Sequence, residues 1–309
     1  MEDNNTYIGI DVAKNHLDVC ILPLNKTKRF KNNELGILSL IEFIGDNKKI
    51  ERIILEPTGG YEEFVLETLA NKGYQISMVN ASQIRAFARA NGILAKTDKI
   101  DAKVLADYGM KLPSRLYIPL PMELKRLKKY VTRRRQLLHM LVEEKNRLKK
   151  ERDGEIIKLI EETLKFLNVQ KEFLEQRIIK GIEQNEKLKR MKEILTSLKG
   201  IGDITAAILM TEVPELGKLG NNQISKLIGV APLNRESGMM RGKSKIYGGR
   251  GYVRDSLYLA ALPAIRFEPK LRDFYLRLKN NGKPGKLAVI AVVRKMITIL
   301  NARLQLFYA

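Results

Sequence analysis

The stretch Tyr7-Ile-Gly-Ile-Asp11 is a short apolar run that ends in a carboxylate, and the predicted fold starts from it. Residues 15–22 follow with apolar side chains at alternating positions, and residues 27–31 form another short run. Alternation of this kind is typical of strands that bury one face against a core. We therefore expect three consecutive strands, arranged as a β-meander, at the start of the chain.

A second apolar run, Arg52-Ile-Ile-Leu-Glu56, also ends in a carboxylate, and the turn-forming sequence Pro57-Thr-Gly-Gly60 closes it. Thr97 is a suitable N-cap for a helix that starts at residue 98. The apolar spacing predicts helices at residues 35–44, 62–72, 82–90 and 98–111 and a strand at residues 75–79. A meander followed by strand–helix–strand units predicts a mixed α/β sheet that is covered by helices.

The middle of the chain differs in character from the first hundred residues. Pro113, Pro119 and Pro121 mark a boundary, after which the sequence is helical and highly charged to about residue 197. Apolar residues between 124 and 148 recur at alternating three- and four-residue steps, which predicts a coiled-coil hairpin. An intramolecular spacer and a dimerising arm both fit this pattern.

Glycines return in the last third of the chain. Residues 198–207 resemble the turn of a helix-hairpin-helix motif, although a plain glycine-containing turn between packed helices fits equally well. The rest is expected to be helical apart from a glycine-rich basic loop at residues 238–251. We therefore predict an α/β domain at 1–115, a helical coiled-coil linker at 116–196 and a mainly α-helical domain at 197–309.

The charge of the chain points to a polyanionic partner. Its 309 residues include 56 lysines and arginines against 35 acidic residues, which gives a net charge of +21. Such an excess favours nucleic acid through counterion release, with a membrane surface as the weaker alternative. With no Trp, 11 Tyr and 9 Phe, base stacking is not the main theme of the composition. Phosphate contacts are expected to dominate.

Several classes of protein are excluded by what the sequence lacks. Its one cysteine, Cys20, excludes an intramolecular disulfide and a cysteine-based zinc cluster. The longest apolar stretches, such as residues 287–293, are too short to cross a bilayer. The acidic and polar start has none of the features of a signal peptide. We expect a cytoplasmic, nucleoid-associated protein of a prokaryote without a membrane partner.

Four carboxylates are placed to form a metal site. Asp11 and Glu56 end predicted strands, and such ends converge on the usual ligand crevice of an α/β sheet. Asp98 and Asp101 are three residues apart and lie on one face of a helix. Each acid alone has a simpler explanation as a solvated surface group or a helix cap. Together they supply the oxygen ligands that divalent cations need to act on phosphates, so we predict a metal site.

The sequence resembles the DEDD insertion-sequence transposases in three blocks: Tyr7-Ile-Gly-Ile-Asp11-Val-Ala-Lys14, Glu56-Pro-Thr-Gly-Gly-Tyr61 and Lys96-Thr-Asp98-Lys-Ile-Asp101-Ala102. The resemblance continues through the blocks at residues 198–207, 229–232, 236–238, 248–254 and 294–296 and so covers nearly the whole chain. It implies an RNase H-like (RuvC-like) N-terminal domain. It also implies that the catalytic, Mg²⁺-binding acids are Asp11, Glu56, Asp98 and Asp101, each on a matching position.

The same resemblance implies a C-terminal serine transposase domain in which Ser237 is the nucleophile. Family members often carry Asp before this serine, whereas this chain has Glu236. Without the resemblance, a serine before glycine is typical of a turn, and neither His16 nor His139 forms an evident Ser/His pairing. The fallback nucleophiles are Ser244 and Ser256.

Two clusters of basic residues are candidates for phosphate binding. The first surrounds the serine in sequence and is expected to bind nucleic acid: Arg235, Arg241, Lys243, Lys245, Arg250 and Arg254. Local capping or pairing is the alternative for Arg254. The second comprises seven basic residues between Lys125 and Arg135, for which a solvated helix face is an equal alternative.

Three functions compete at this point. The first is an insertion-element transposase that recombines donor and target DNA through a phosphoserine intermediate. The resemblance implies that a structured non-coding RNA guides it, and strand exchange between two duplexes suggests a homodimer or homotetramer. The second is a metal-dependent, structure-selective nuclease in which Ser237 only forms a turn. The third is a nucleic-acid-binding protein without catalysis.

Overall fold

The computed structural model describes residues 5–95, 97–232, 236–237, 240–241 and 246–308. The chain divides into two compact units, Met1–Pro119 and Leu120–Ala309. The boundary falls in the proline-containing segment that the sequence marks as a division. The predicted further division at residue 197 stays a prediction.

The first unit is built on a five-stranded mixed sheet. Its strands are β1 (Thr6–Val12), β2 (His16–Leu22), β3 (Lys26–Lys31), β4 (Ile50–Leu55) and β5 (Ile76–Met78). They lie in the order β3-β2-β1-β4-β5. The first three pair antiparallel as a meander, whereas β4 is parallel to both β1 and β5. The predicted mixed sheet is confirmed, and its arrangement is consistent with a RuvC-like domain.

Helices cover both faces of this sheet. They are α1 (Glu34–Ile44), α2 (Glu63–Asn71), α3 (Ala81–Ala90) and α4 (Asp98–Lys111), with a 3-10 turn at Asn47–Lys49. Alternate residues of β1 point to opposite faces, so Ile8 and Ile10 share a buried cluster with α1 and α2. On the other face, α4 packs against β1 and β2.

Gly9 allows α4 to lie close to the sheet. A Cβ atom at this position would lie 2.0 Å from the carbonyl oxygen of Ala102 and 2.5 Å from the amide nitrogen of Ala106. Any larger residue at position 9 would push the helix away from β1. Since Asp11 is two residues farther along the same strand, it points to the face that α4 covers.

The second unit is helical. Its helices are α5 (Met122–Leu148), α6 (Gly154–Glu183), α7 (Glu186–Thr196), α8 (Asp203–Glu212), α9 (Asn221–Ile228), α10 (Gly251–Phe267), α11 (Pro269–Asn280) and α12 (Gly285–Tyr308). Two short strands, β6 (Glu236–Ser237) and β7 (Met240–Arg241), pair antiparallel between α9 and α10. Within the described ranges, no helix combines the length and the apolar composition that a membrane crossing requires.

Helices α5 and α6 form an antiparallel hairpin. Leu127 near the start of α5 lies beside Gly181 near the end of α6, and Arg134 forms an ion pair with Glu175 at 2.6 Å. Asp153 caps α6 by accepting hydrogen bonds from the first turn, which explains the break between the two helices. The hairpin is as expected, whereas its coiled-coil geometry and the helix-hairpin-helix interpretation of residues 198–207 stay predictions.

Candidate active site

Asp11 and Glu56 lie at adjacent positions on the sheet. Ile10 of β1 pairs with Leu55 of the parallel strand β4. Asp11 is the next residue of β1, and Glu56 directly follows β4. Adjacent parallel strands have their carboxyl ends at the same edge of the sheet. The strand register therefore brings together the two acids that the sequence singles out at strand ends.

Helix α4 adds the other two predicted acids from above the sheet. Thr97 caps the helix by accepting a hydrogen bond from the backbone of Ile100 at 3.3 Å, as expected. Asp98 and Asp101 both lie in the first turn, where carboxylates stabilise the positive end of the helix dipole. Arg85 of α3 approaches the Asp101 carboxylate at 3.6 Å.

The electrostatics of Asp11 reflect the convergence of these acids. The pKa of the Asp11 carboxyl is raised from 3.8 to about 6, and burial is the largest cause. Nearby negative charges account for the rest of this rise, and in order of size they belong to Asp101, Glu56, Asp98 and Asp18. Like charges gathered around a half-buried carboxyl disfavour its ionised form. A divalent cation would relieve this repulsion.

A salt-bridge network lies beside these acids, and the sequence did not predict it. Asp18 is 3% exposed and lies directly opposite Asp11 in the β1–β2 register. Arg29, its partner on β3, donates to both Asp18 oxygens at 3.0 and 2.8 Å. The same guanidinium donates to Asp98 at 2.7 Å. The network therefore connects the start of α4 to β2 and to the edge strand β3.

His16 completes the network. Its Nε2 atom lies 3.3 Å from Asp98 and 3.5 Å from Asp18, and one ligand atom from each of the three residues lies within 4.8 Å of the others. Hydrogen bonds from His16 and then Arg29 lower the pKa of Asp98 below its usual value. Because Arg29 already neutralises both carboxylates, this trio is better suited to anchoring Asp98 than to holding a metal ion itself.

The turn that follows Glu56 is held by a buried acid, Glu62. One oxygen of Glu62 accepts hydrogen bonds from the amide and hydroxyl groups of Thr58 and from the amide of Gly60, at 2.8–3.1 Å. Burial acts to raise the pKa of Glu62, but hydrogen bonds from its own backbone, from Thr58 and from Gly60 outweigh burial and lower the pKa. Gly59 and Gly60 have φ of +80° and +116°, which only glycine adopts readily.

Ser237 belongs to the second unit, where β6 pairs it with Met240 of β7. Arg241 is also on β7, whereas Arg235, Lys243 and Lys245 lie outside the described residues, as does Ser244. The hydroxyl of the other fallback serine, Ser256, donates a hydrogen bond to the carbonyl oxygen of Tyr252 within α10.

The two arginines that flank the start of α10 have partners within the protein. Arg250 forms a bidentate ion pair with Glu215 at 2.6 and 2.7 Å. Arg254 donates to the carbonyl oxygen of Gly248 at 2.7 Å and, more weakly, to that of Gly229 at 3.4 Å. The local pairing considered for Arg254 is therefore present. The phosphate-binding role of both residues stays a prediction.

Two family models match the chain in succession. Residues 8–151 match a model described as "Transposase", of the DEDD type found in IS110 elements. Residues 192–276 match a model described as "Transposase IS116/IS110/IS902 family". The first match contains the four predicted acids, and the second contains Ser237.

Relatives of known name agree with these matches. The chain is 28% identical to the pilin gene-inverting protein of Moraxella bovis, over 97% of this chain and 95% of that protein. The protein of the same name from Moraxella lacunata matches to the same extent. An uncharacterized 42 kDa protein of insertion element IS900 from Mycobacterium paratuberculosis is 33% identical over 40% of this chain and 32% of its own length. The chain belongs to the IS110/IS116 family of insertion-element transposases.

Proposed function

We propose that this transposase is a Mg²⁺-dependent DNA recombinase that cleaves and rejoins donor and target strands. The observation that carries the proposal is the strand register that places Asp11 beside Glu56, where the nearby charges of Asp101 and Asp98 add to the effect of burial on the Asp11 carboxyl. The net charge of +21 supports a nucleic-acid substrate. Similarity to the pilin gene-inverting proteins supports recombination rather than degradation.

The donor chemistry of the site fits a hard divalent cation. Asp11, Glu56, Asp98 and Asp101 offer only carboxylate oxygens, which Mg²⁺ prefers. When bound, the metal supplies positive charge that stabilises a phosphate under attack and lowers the pKa of an attacking hydroxyl. Hydrogen bonds from His16 and Arg29 lower the pKa of Asp98, so this acid keeps the negative charge that binding a cation requires.

Ser237 is the proposed nucleophile. Its hydroxyl oxygen forms a bond to the phosphorus of a DNA strand, the strand's own P–O bond breaks, and the departing DNA oxygen takes up a proton. The serine proton passes to a nearby base. A hydroxyl of a second strand then attacks the phosphoserine, which releases the serine and joins the new strands. Because the bond energy is kept in the phosphoserine, no external energy source is needed.

The proposed partners are donor DNA, target DNA and a structured non-coding RNA that guides the choice of site. The guide follows from the family resemblance alone, and the basic residues between Lys125 and Arg135 offer phosphate contacts to either nucleic acid. A homodimer or homotetramer would bring two duplexes and two nucleophiles together.

The decisive experiment looks for a covalent protein–DNA adduct. Purified protein is incubated with Mg²⁺, candidate flanking RNA and labelled donor and target DNA, and adducts are separated on a denaturing gel. We expect an adduct with the wild type, none with Ser237→Ala, and none with Asp11→Asn or without divalent metal. Recombinant product without any adduct would rule out the serine mechanism. Full cleavage by Ser237→Ala would instead favour a metal-dependent nuclease, and unchanged behaviour of Asp11→Asn would remove the proposed metal site.

A further inference from the structure

The side chain of Asn32 connects the backbone that follows Asp11 to the backbone that follows Glu56. Its Nδ2 group donates one hydrogen bond to the carbonyl oxygen of Ala13 at 2.9 Å. It donates another to the carbonyl oxygen of Tyr61 at 3.0 Å. Ala13 is two residues beyond Asp11, and Tyr61 ends the turn that begins at Glu56. A single amide group therefore bridges the two strand ends.

Asn32 is itself held in place by the sheet. It directly follows β3, and its backbone amide donates to the carbonyl oxygen of Asn15 at 3.0 Å. Asn15 lies in the turn between β1 and β2. The donor is thus anchored to the meander and is not carried by a free loop.

Glu62 makes the far side of this bridge rigid. Its three hydrogen bonds to Thr58 and Gly60 close the turn between Glu56 and Tyr61 on itself. With 9% of its surface exposed, the carboxylate is largely shielded from water, so these bonds face little competition from solvent. Displacing Tyr61 would therefore displace the whole turn.

We propose that Asn32 and Glu62 are positioning residues that fix the separation of Asp11 and Glu56 for divalent-cation binding. The two carboxylates repel each other, so in a site without a cation they would move apart unless the backbone around them were held. A hard cation needs its oxygen ligands at set distances, and groups that orient such ligands contribute strongly to affinity. This inference rests on the metal site of the proposed function.

The first test uses the same substitution at two adjacent residues of the full-length protein. Asn32→Ser removes the amide that reaches both carbonyl groups, and its shorter side chain cannot replace it. Asn33→Ser is the matched control, because Asn33 only caps α1 by accepting from Gly36, and serine is an equally good N-cap. Neither change alters the charge of the protein.

Mn²⁺ binding is measured by electron paramagnetic resonance, with Asp11→Asn defining the signal of the site. We expect Asn32→Ser to weaken Mn²⁺ binding about ten-fold or more, with Asn33→Ser close to wild type. A merely destabilising effect would lower the thermal unfolding temperature without changing Mn²⁺ affinity. Equal Mn²⁺ affinity in wild type, Asn32→Ser and Asn33→Ser would overturn the inference.

A second pair keeps the test decisive if Asn32→Ser does not fold. Glu62→Gln removes the charged acceptor of the turn, and Glu63→Gln makes the same change at the next, exposed residue. Weaker Mn²⁺ binding in Glu62→Gln alone supports the proposal, whereas equal binding in both variants contradicts it. If Asp11→Asn binds Mn²⁺ as well as wild type, the metal site of the proposed function fails instead, and the two failures are distinguishable.

Discussion

The raised pKa of Asp11 makes the stability of the protein depend on pH. Its pKa is raised from 3.8 to about 6, first by burial and then by neighbouring acids. The folded, metal-free protein therefore binds a proton at Asp11 that the unfolded chain releases. The contribution of this group to stability is complete below about pH 4 and is lost as the pH rises through about 6. Near neutral pH, the metal-free site opposes folding.

Asp11→Asn should therefore stabilise the metal-free protein near neutral pH. We expect a gain of about 1–2 kcal/mol in the free energy of unfolding, after allowance for solvent screening at this half-buried carboxyl. The gain should shrink as the pH falls and approach zero at about pH 3, where Asp11 is largely protonated in both states. Urea unfolding in the presence of a chelator measures it at each pH. A difference between variant and wild type that does not change with pH would show that ionisation of Asp11 is not its cause.

The four acids could be singled out from the sequence because each has a local signature. Asp11 and Glu56 end apolar runs, and Asp98 and Asp101 follow the capping residue of a helix. Asp18 and Arg29 have no such signature, since their pairing depends on the register between β2 and β3. The one available hint was a charged residue inside the otherwise apolar run of β2. The role of Asn32 is harder still to predict from sequence, because its side chain donates to backbone carbonyl groups 19 and 29 residues away.

At the scale of the helix, α6 carries an apolar stripe that its partner α5 does not cover. Leu167 and Leu174 are buried with residues of α5. Leu159, Phe166 and Phe173 recur every seven residues and are 58%, 62% and 49% exposed. Exposed apolar residues at heptad spacing are typical of a helix that pairs with another helix. The sequence predicted the hairpin from its apolar spacing, but only the structure shows which apolar positions remain exposed.

We expect this stripe to support self-association of the chain. The double variant Phe166→Gln, Phe173→Gln should weaken dimerisation about a hundred-fold or more, because each subunit loses two exposed aromatic side chains that the dimer interface would bury. The matched control is Lys165→Gln, Glu172→Gln, which places the same residues one position earlier on exposed sites. Sedimentation velocity over a range of concentrations measures the effect, and circular dichroism checks that helix content is unchanged. Equal dimerisation of both variants would show that this stripe does not support self-association.

At the scale of the whole molecule, the two halves of the proposed chemistry lie in different compact units. The carboxylates belong to Met1–Pro119, and Ser237 belongs to Leu120–Ala309. In the proposed reaction, the acids and the serine that act together can come from one chain or from two chains. If the acids and the serine came from different chains, a single chain could not cut DNA. Strand cleavage would then require assembly of the oligomer. The two modes differ in how inactive variants complement each other.

Asp11→Asn and Ser237→Ala are each expected to form no adduct alone, but a co-expressed mixture distinguishes the two modes. If every site combines acids of one chain with the serine of another, half of the sites in a mixed dimer contain intact groups. Random pairing at equal amounts then predicts about a quarter of the wild-type adduct. We expect this recovery in the mixture. The control is a protein that carries both substitutions in every chain, and it should form no adduct. Absence of any adduct in the mixture, with mixed dimers verified by differential tags, would show that each chain completes its own site.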